Sequence, residues 1–129
     1  MTFNNPPPQR NFINLPVLQK LIDTYKIWHN ALPHMTRLTR YSLGEKIDLL
    51  FIELAELLLM AGYAGRGQKT PIIQKASIKL DILKFLLQVA WELKSIETKT
   101  FSDLVTRLDE VGKMLGGWQK QLIKETPAP

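Results

Sequence analysis

Between Ser42 and Tyr63 the apolar residues Leu43, Ile47, Leu50, Leu54, Leu57 and Ala61 follow one another at intervals of four, three, four, three and four. A helix sets such a series on one line along its surface, and such a line is the seam of a helix packed lengthwise against others. Leu49, Phe51, Ile52, Leu58, Leu59 and Met60 fill most of the remaining surface, leaving Glu45, Lys46, Asp48, Glu53 and Glu56 as a wet strip. A helix this apolar is either central in its domain or buried against another subunit. In 129 residues, enough for one domain with one core, the second reading is preferred, with Phe51, Ile52, Leu58 and Leu59 as the expected oligomer contacts. The run is too short for a membrane span and carries Glu53 and Glu56.

Three further helices flank it. The first is expected from near Leu15, with Pro16 in its first turn, where a missing N–H costs nothing. Leu18, Leu21, Tyr25, Trp28 and Leu32 form its seam, and Pro33 stops it. The third is expected to start at Thr70 as cap with Pro71 at the first position, after a flexible turn from Gly62. It carries two seams: Ile78, Ile82, Leu86, Val89, Leu93 and Ile96, and beside it Ala76, Leu80, Leu83, Leu87 and Ala90. The fourth is expected from Thr100, capped with Asp103, and its seam is Phe101, Leu104, Leu108, Val111, Leu115, Trp118 and Leu122. Gly112, Gly116 and Gly117 interrupt it. Each glycine costs a helix about 1 kcal/mol relative to alanine, so close approach of another helix, or of Trp118, is expected in return. Short links between four helices predict an all-α, antiparallel up-down-up-down four-helix bundle over 14–124. Residues 1–13 are proline-rich and polar, and both they and the tail 125–129 are expected to stay disordered.

The chain holds 17 Lys and Arg against 12 Asp and Glu, a net charge of +5, and the surplus falls in the first and third helices and the links beside them. Arg37 and Arg40 are three apart, so a single helical turn sets them on one side, where they could grip a phosphate bidentately, pair with acids of a neighbouring subunit, or lie in a solvated loop. Lys75 and Lys79 mark a basic edge, and Arg66 and Lys69 lie in the glycine-rich turn. These six are the expected phosphate contacts. The turn is no nucleotide-binding loop, since no strand precedes it and no Gly-Lys-Ser/Thr opens the next helix. Without cysteine there is no disulfide scaffold, cysteine–zinc site or thiol nucleophile. His29 and His34 lack a matched carboxylate, and Glu53 and Glu56 lack the histidine of a bundle metal motif, so no metal, cofactor or catalytic set is expected. Trp28, Trp91 and Trp118 all lie on helix seams and read as packing residues, not as a stacking platform. The N-terminus has no basic region followed by an apolar run, so no signal peptide is expected.

Three stretches resemble one family. Arg37-Leu-Thr-Arg-Tyr-Ser-Leu-Gly-Glu-Lys-Ile is similar to its Arg-x-x-Arg-aromatic-x-Leu-Gly-x-basic-Ile pattern, with Thr36 where proline often stands. Leu80 to Lys94 resembles its third helix. Val111-Gly-Lys-Met-Leu-Gly-Gly-Trp-Gln-Lys, the most specific part, resembles its closing glycine-tryptophan motif. Together these resemble the accessory variability determinant (Avd) proteins of diversity-generating retroelements over most of residues 15–123. The resemblance implies a four-helix bundle assembling as a pentameric barrel in a prokaryotic cytoplasm, without catalytic activity or cofactor. It also implies binding to the retroelement's reverse transcriptase and to nucleic acid, in support of mutagenic copying of template RNA into cDNA. The alternative is the related bundle protein of ribosomal RNA intervening sequences, which would bind RNA or another partner without a reverse transcriptase.

Overall fold

The computed structural model describes residues 15–125. The expectations for 1–13 and for 126–129 lie outside them, while Glu125, expected in the tail, closes the last helix. Four long helices make up the fold: α1 (Pro16–Ala31), α3 (Glu45–Tyr63), α4 (Arg66–Glu92) and α5 (Thr98–Glu125), with α2 a single turn at Arg37–Thr39. Pro16 opens α1 behind an extended Leu15, and Pro33 sits in the 3-10 turn Leu32–His34 that ends it.

The connection over Pro33–Tyr41, for which the sequence leaves a single helical turn or a solvated loop open, is mostly helical. The Thr36 hydroxyl accepts from the Thr39 N–H at 3.4 Å, which starts α2, and a π-turn over Arg40–Gly44 carries the chain into α3 without a break. Arg37 therefore opens α2 and Arg40 opens the π-turn, both ahead of α3. Gly44 is buried there in a tight spot: a Cβ would lie 3.1 Å from Leu32 Cδ1, which would have to give way, and 3.4 Å from the Thr39 carbonyl oxygen.

α4 starts at Arg66, not at Thr70, and Pro71 lies inside it. The proline deprives only the Gly67 carbonyl, which is exposed to water near the helix start. Lys69 fixes this corner. Its ammonium donates to the Ala61 and Gly62 carbonyls at 2.8 and 3.4 Å, placing a cation on the negative end of α3. α5 begins two residues before the expected cap, and Asp103 accepts from Arg107 at 2.9 Å instead of closing a capping box.

Each long helix packs on two neighbours, α1 on α3 and α5, α4 on α3 and α5. The core along the axis joins Leu21 and Trp28 of α1, Ile47, Phe51, Leu54 and Leu58 of α3, Ile73, Leu83 and Leu87 of α4, and Leu104 and Leu108 of α5. Phe51 and Leu58 therefore pack inside their own chain, at 1% and 0% exposure, and the expectation that they meet another subunit is corrected. Ile52 is exposed and Leu59 half-buried, so only these two of the four reach the surface. Of the two α4 seams, the one with Ala76 and Ala90 faces inward; of the other, Ile78, Ile82 and Leu93 are exposed, Leu86 and Val89 half-buried and Ile96 buried, and Phe85, in neither seam, is exposed. The small side chains let α4 lie close to its neighbours. In α5 only Gly112 meets a close neighbour, Leu80 Cδ2 at 3.4 Å from an added Cβ. Gly116 and Gly117 have nothing within 4 Å among the described residues, so no other helix closes on them there.

Polar ties link the helices. Asp48 Oδ1 accepts from the Tyr25 hydroxyl at 2.9 Å and the Trp28 indole N–H at 3.1 Å, joining α3 to α1. Lys20 pairs with Glu110, tying α1 to α5, and its hydrogen bond and charge hold that carboxyl below the usual carboxylate range. Lys84 reaches Asp109 at 3.2 Å between α4 and α5.

Candidate nucleic-acid interface

The six cations expected to contact phosphate do not form one site. Lys69 stands at the corner of α3 and α4, with its ammonium 5.8 Å from the Trp118 ring centre. Arg37 and Arg40 lie at the other end. The end of α1 and the link between α4 and α5 line one cavity there, and Arg37 follows His34 of that lining by three residues. The ends are separated by the length of α3, about 30 Å for 19 residues.

Nor are all six free. Lys69 is committed to the α3 carbonyls, and Lys79 pairs with Glu53 at 3.5 Å, both cations being half-buried. A phosphate at either would compete with a partner within the same chain, the Ala61 and Gly62 carbonyls for Lys69 and the Glu53 carboxylate for Lys79. Arg37, Arg66 and Lys75 are exposed and have no carboxylate partner among the described residues. Arg40 is half-buried, with its guanidinium 5.6 Å from the Tyr41 ring centre and its buried Nε without a hydrogen-bond partner. Arg37 and Arg40 thus stand one turn apart, neither with a carboxylate partner among the described residues.

The cavity at this end has a volume of about 900 Å³. Its lining includes Ile27, Asn30 and His34 on one side and Trp91, Lys94 and Glu97 on the other. Trp28 is fully buried and Trp118 packs partly buried against the core, as their seam positions predict. Trp91 differs. It stacks on Phe101 with ring centres 4.9 Å apart and planes 7° from parallel, donates its indole N–H to Thr98 Oγ1 at 3.0 Å, and stays 36% exposed. Lys94 has φ of 60°, the left-handed conformation that favours glycine. It closes α4 through Lys94 N–H to the Trp91 carbonyl and Ser95 N–H to the Ala90 carbonyl, both at 2.9 Å. Sequence reasoning missed these residues. Trp91 keeps the spacing of a seam, and only its place in the last turn of its helix hints that it overhangs the bundle's end.

Among the described residues no three of His, Asp and Glu converge to hold a metal ion. His29 is exposed beside the Tyr25 ring, Glu53 is paired with Lys79, and Glu56 is exposed. Among the described residues no helix is long and apolar enough to cross a membrane.

No curated protein sequence matches the chain. A family model described as bAvd-like matches residues 15–122, from the start of α1 to the last turns of α5, including the arginine pair, the π-turn and the closing glycine-tryptophan motif. The match runs through every element of the bundle, and the chain belongs to the bAvd-like family.

Proposed function

We propose that this chain is a non-enzymatic accessory protein of a diversity-generating retroelement, which binds the element's reverse transcriptase and, through phosphate contacts, the template RNA and cDNA. The observation that carries the nucleic-acid part is the Arg37–Arg40 pair. It stands at the end of a positively charged bundle, on the helical turns just before α3, with no carboxylate partner among the described residues. Family membership supports the polymerase partner. The helices run up-down-up-down, a reading supported by links as short as Ala64–Gly65 and by paired positions that run in opposite order, Lys84 with Asp109 and Trp91 with Phe101.

The assembly is a homo-oligomer, a pentamer by family resemblance, held through the exposed apolar face of α3 and α4. Ile78, Ile82 and Phe85 on α4 and Leu93 just after it, with Leu49, Ile52 and Met60 on α3, are all more than 40% exposed. A face of this kind on adjacent helices is more than single scattered apolar residues and marks a protein contact. Copies in a ring multiply the +5 charge of one chain.

Reversal of both arginines, Arg37→Glu with Arg40→Glu, tests the phosphate reading by titration with single-stranded RNA at two salt concentrations. Affinity should fall, and the dependence of log K on log salt should flatten by about 0.7 for each phosphate that the protein no longer neutralises. Unchanged affinity at both salts removes the pair from the interface. Co-purification with the reverse transcriptase encoded beside the gene tests the partner. If no such gene or paired repeat lies nearby, the ribosomal-intervening-sequence reading takes its place.

A further inference from the structure

The cavity beside Trp91 has a composition that phosphate contacts alone do not explain. One wall is an indole whose position is fixed by Phe101 and Thr98, yet which remains over a third exposed. Asn30, with an amide that both donates and accepts, and the carboxylate-bearing Glu97 also line it. Lys94 stands there in a backbone conformation that glycine would adopt without cost. His34 lines the same cavity, and three residues of chain, at most about 10 Å, separate it from Arg37.

We propose that this cavity takes an unpaired nucleobase, stacked on Trp91, from a strand whose phosphates lie on Arg37 and Arg40. The proposal rests on the nucleic-acid reading above and narrows it to single strands at this end of the bundle. Stacking accepts any base because every base presents a π-face, while a base held in a duplex is already stacked and paired. Asn30 and Glu97 face the base edge, where the carboxylate accepts from amino groups. Lys94 meets the adjoining phosphate, offsetting the charge of Glu97. The non-glycine residue at the left-handed position is then explained by the ammonium it carries.

The test titrates the full-length protein with three probes of equal length: a single-stranded RNA, the same strand with abasic sites, and the RNA duplex. The intact single strand should bind about fivefold to a hundredfold more tightly than the abasic strand, the range one stacked base supplies. Trp91→Ala should abolish that preference and leave abasic binding unchanged. Trp91→Tyr, which retains a ring and keeps the packing on Phe101, should keep most of it. Equal affinity for intact and abasic strands, or a preference that survives Trp91→Ala in folded protein, overturns the proposal and leaves the Arg37–Arg40 contacts standing. Absence of binding to all three probes overturns both.

Discussion

Asp48 serves two donors with one oxygen, and Trp28, the larger of them, is wholly buried. Asp48→Ala leaves the indole N–H without an acceptor away from water, a cost of about 2–3 kcal/mol, and Tm should fall by roughly 10 °C in a thermal melt. Asp48→Asn retains an oxygen and should lose about half as much. The same contact makes stability depend on alkaline pH. Burial first, then the hydrogen bond to Asp48 and its charge, push the Tyr25 phenol above its ordinary range. The folded state thus favours the neutral phenol. That contribution is complete below the unfolded pKa of about 10 and is lost as pH rises through the folded value. Tyr25→Phe keeps the ring against Phe51, at 5.6 Å, and should flatten part of the decline in stability between about pH 9 and about pH 11, read by denaturant unfolding. Lys94 provides a residue-scale test of strain. Lys94→Gly should stabilise the fold by about 1 kcal/mol, since glycine is the usual residue at this helix end, and should weaken single-strand binding.

At the scale of elements, the closing motif of α5 separates propensity from packing. Gly116 and Gly117 cost the helix freedom and have no close neighbour among the described residues to offset it. Gly116→Ala and Gly117→Ala should each stabilise it by about 1 kcal/mol, seen as a higher denaturation midpoint. Gly112→Ala has Leu80 at 3.4 Å and should gain less. The seams of all four helices were legible because a 3.6-residue period constrains which side chains share a face. Their limits were less so. Pro71 suggests a helix start, but a proline one turn further in deprives a single solvent-exposed carbonyl, and Lys69 secures the turn before it. The π-turn at Arg40–Gly44 has no local signature beyond Gly44, whose need appears only when Leu32 is laid over it. Which α4 seam faces inward was also hidden. The two are equally periodic, and the inner one is the smaller, holding Ala76 and Ala90 where neighbouring helices come close.

At the scale of the molecule, local pattern could nominate cations but could not show that Arg37 and Lys69 stand at opposite ends of the bundle, nor that Lys79 is taken by Glu53. That information lies in pairings between residues far apart in the chain. The same limit applied to the apolar excess of α3: part of it, Phe51 and Leu58, is satisfied within the bundle, and what stays outside, Leu49, Ile52 and Met60, is joined by Ile78, Ile82 and Phe85 of α4. Ile78 and Phe85, two turns apart on the exposed line and 60% and 63% exposed, have no role in the core of a single chain. Ile78→Glu with Phe85→Glu should therefore leave the helical circular dichroism and the melting of the bundle nearly unchanged, because surface substitutions of this kind shift stability by about 0.5 kcal/mol or less. In an assembly the same pair would bury two carboxylates per chain without partners, a cost of several kcal/mol at each contact. Light scattering should then report one copy where the natural chain gives several. The salt dependence of RNA binding should become shallower in step, since a lone copy offers fewer cations to the strand than a ring. An unchanged mass with intact helicity would show that the exposed face of α4 is not where copies meet.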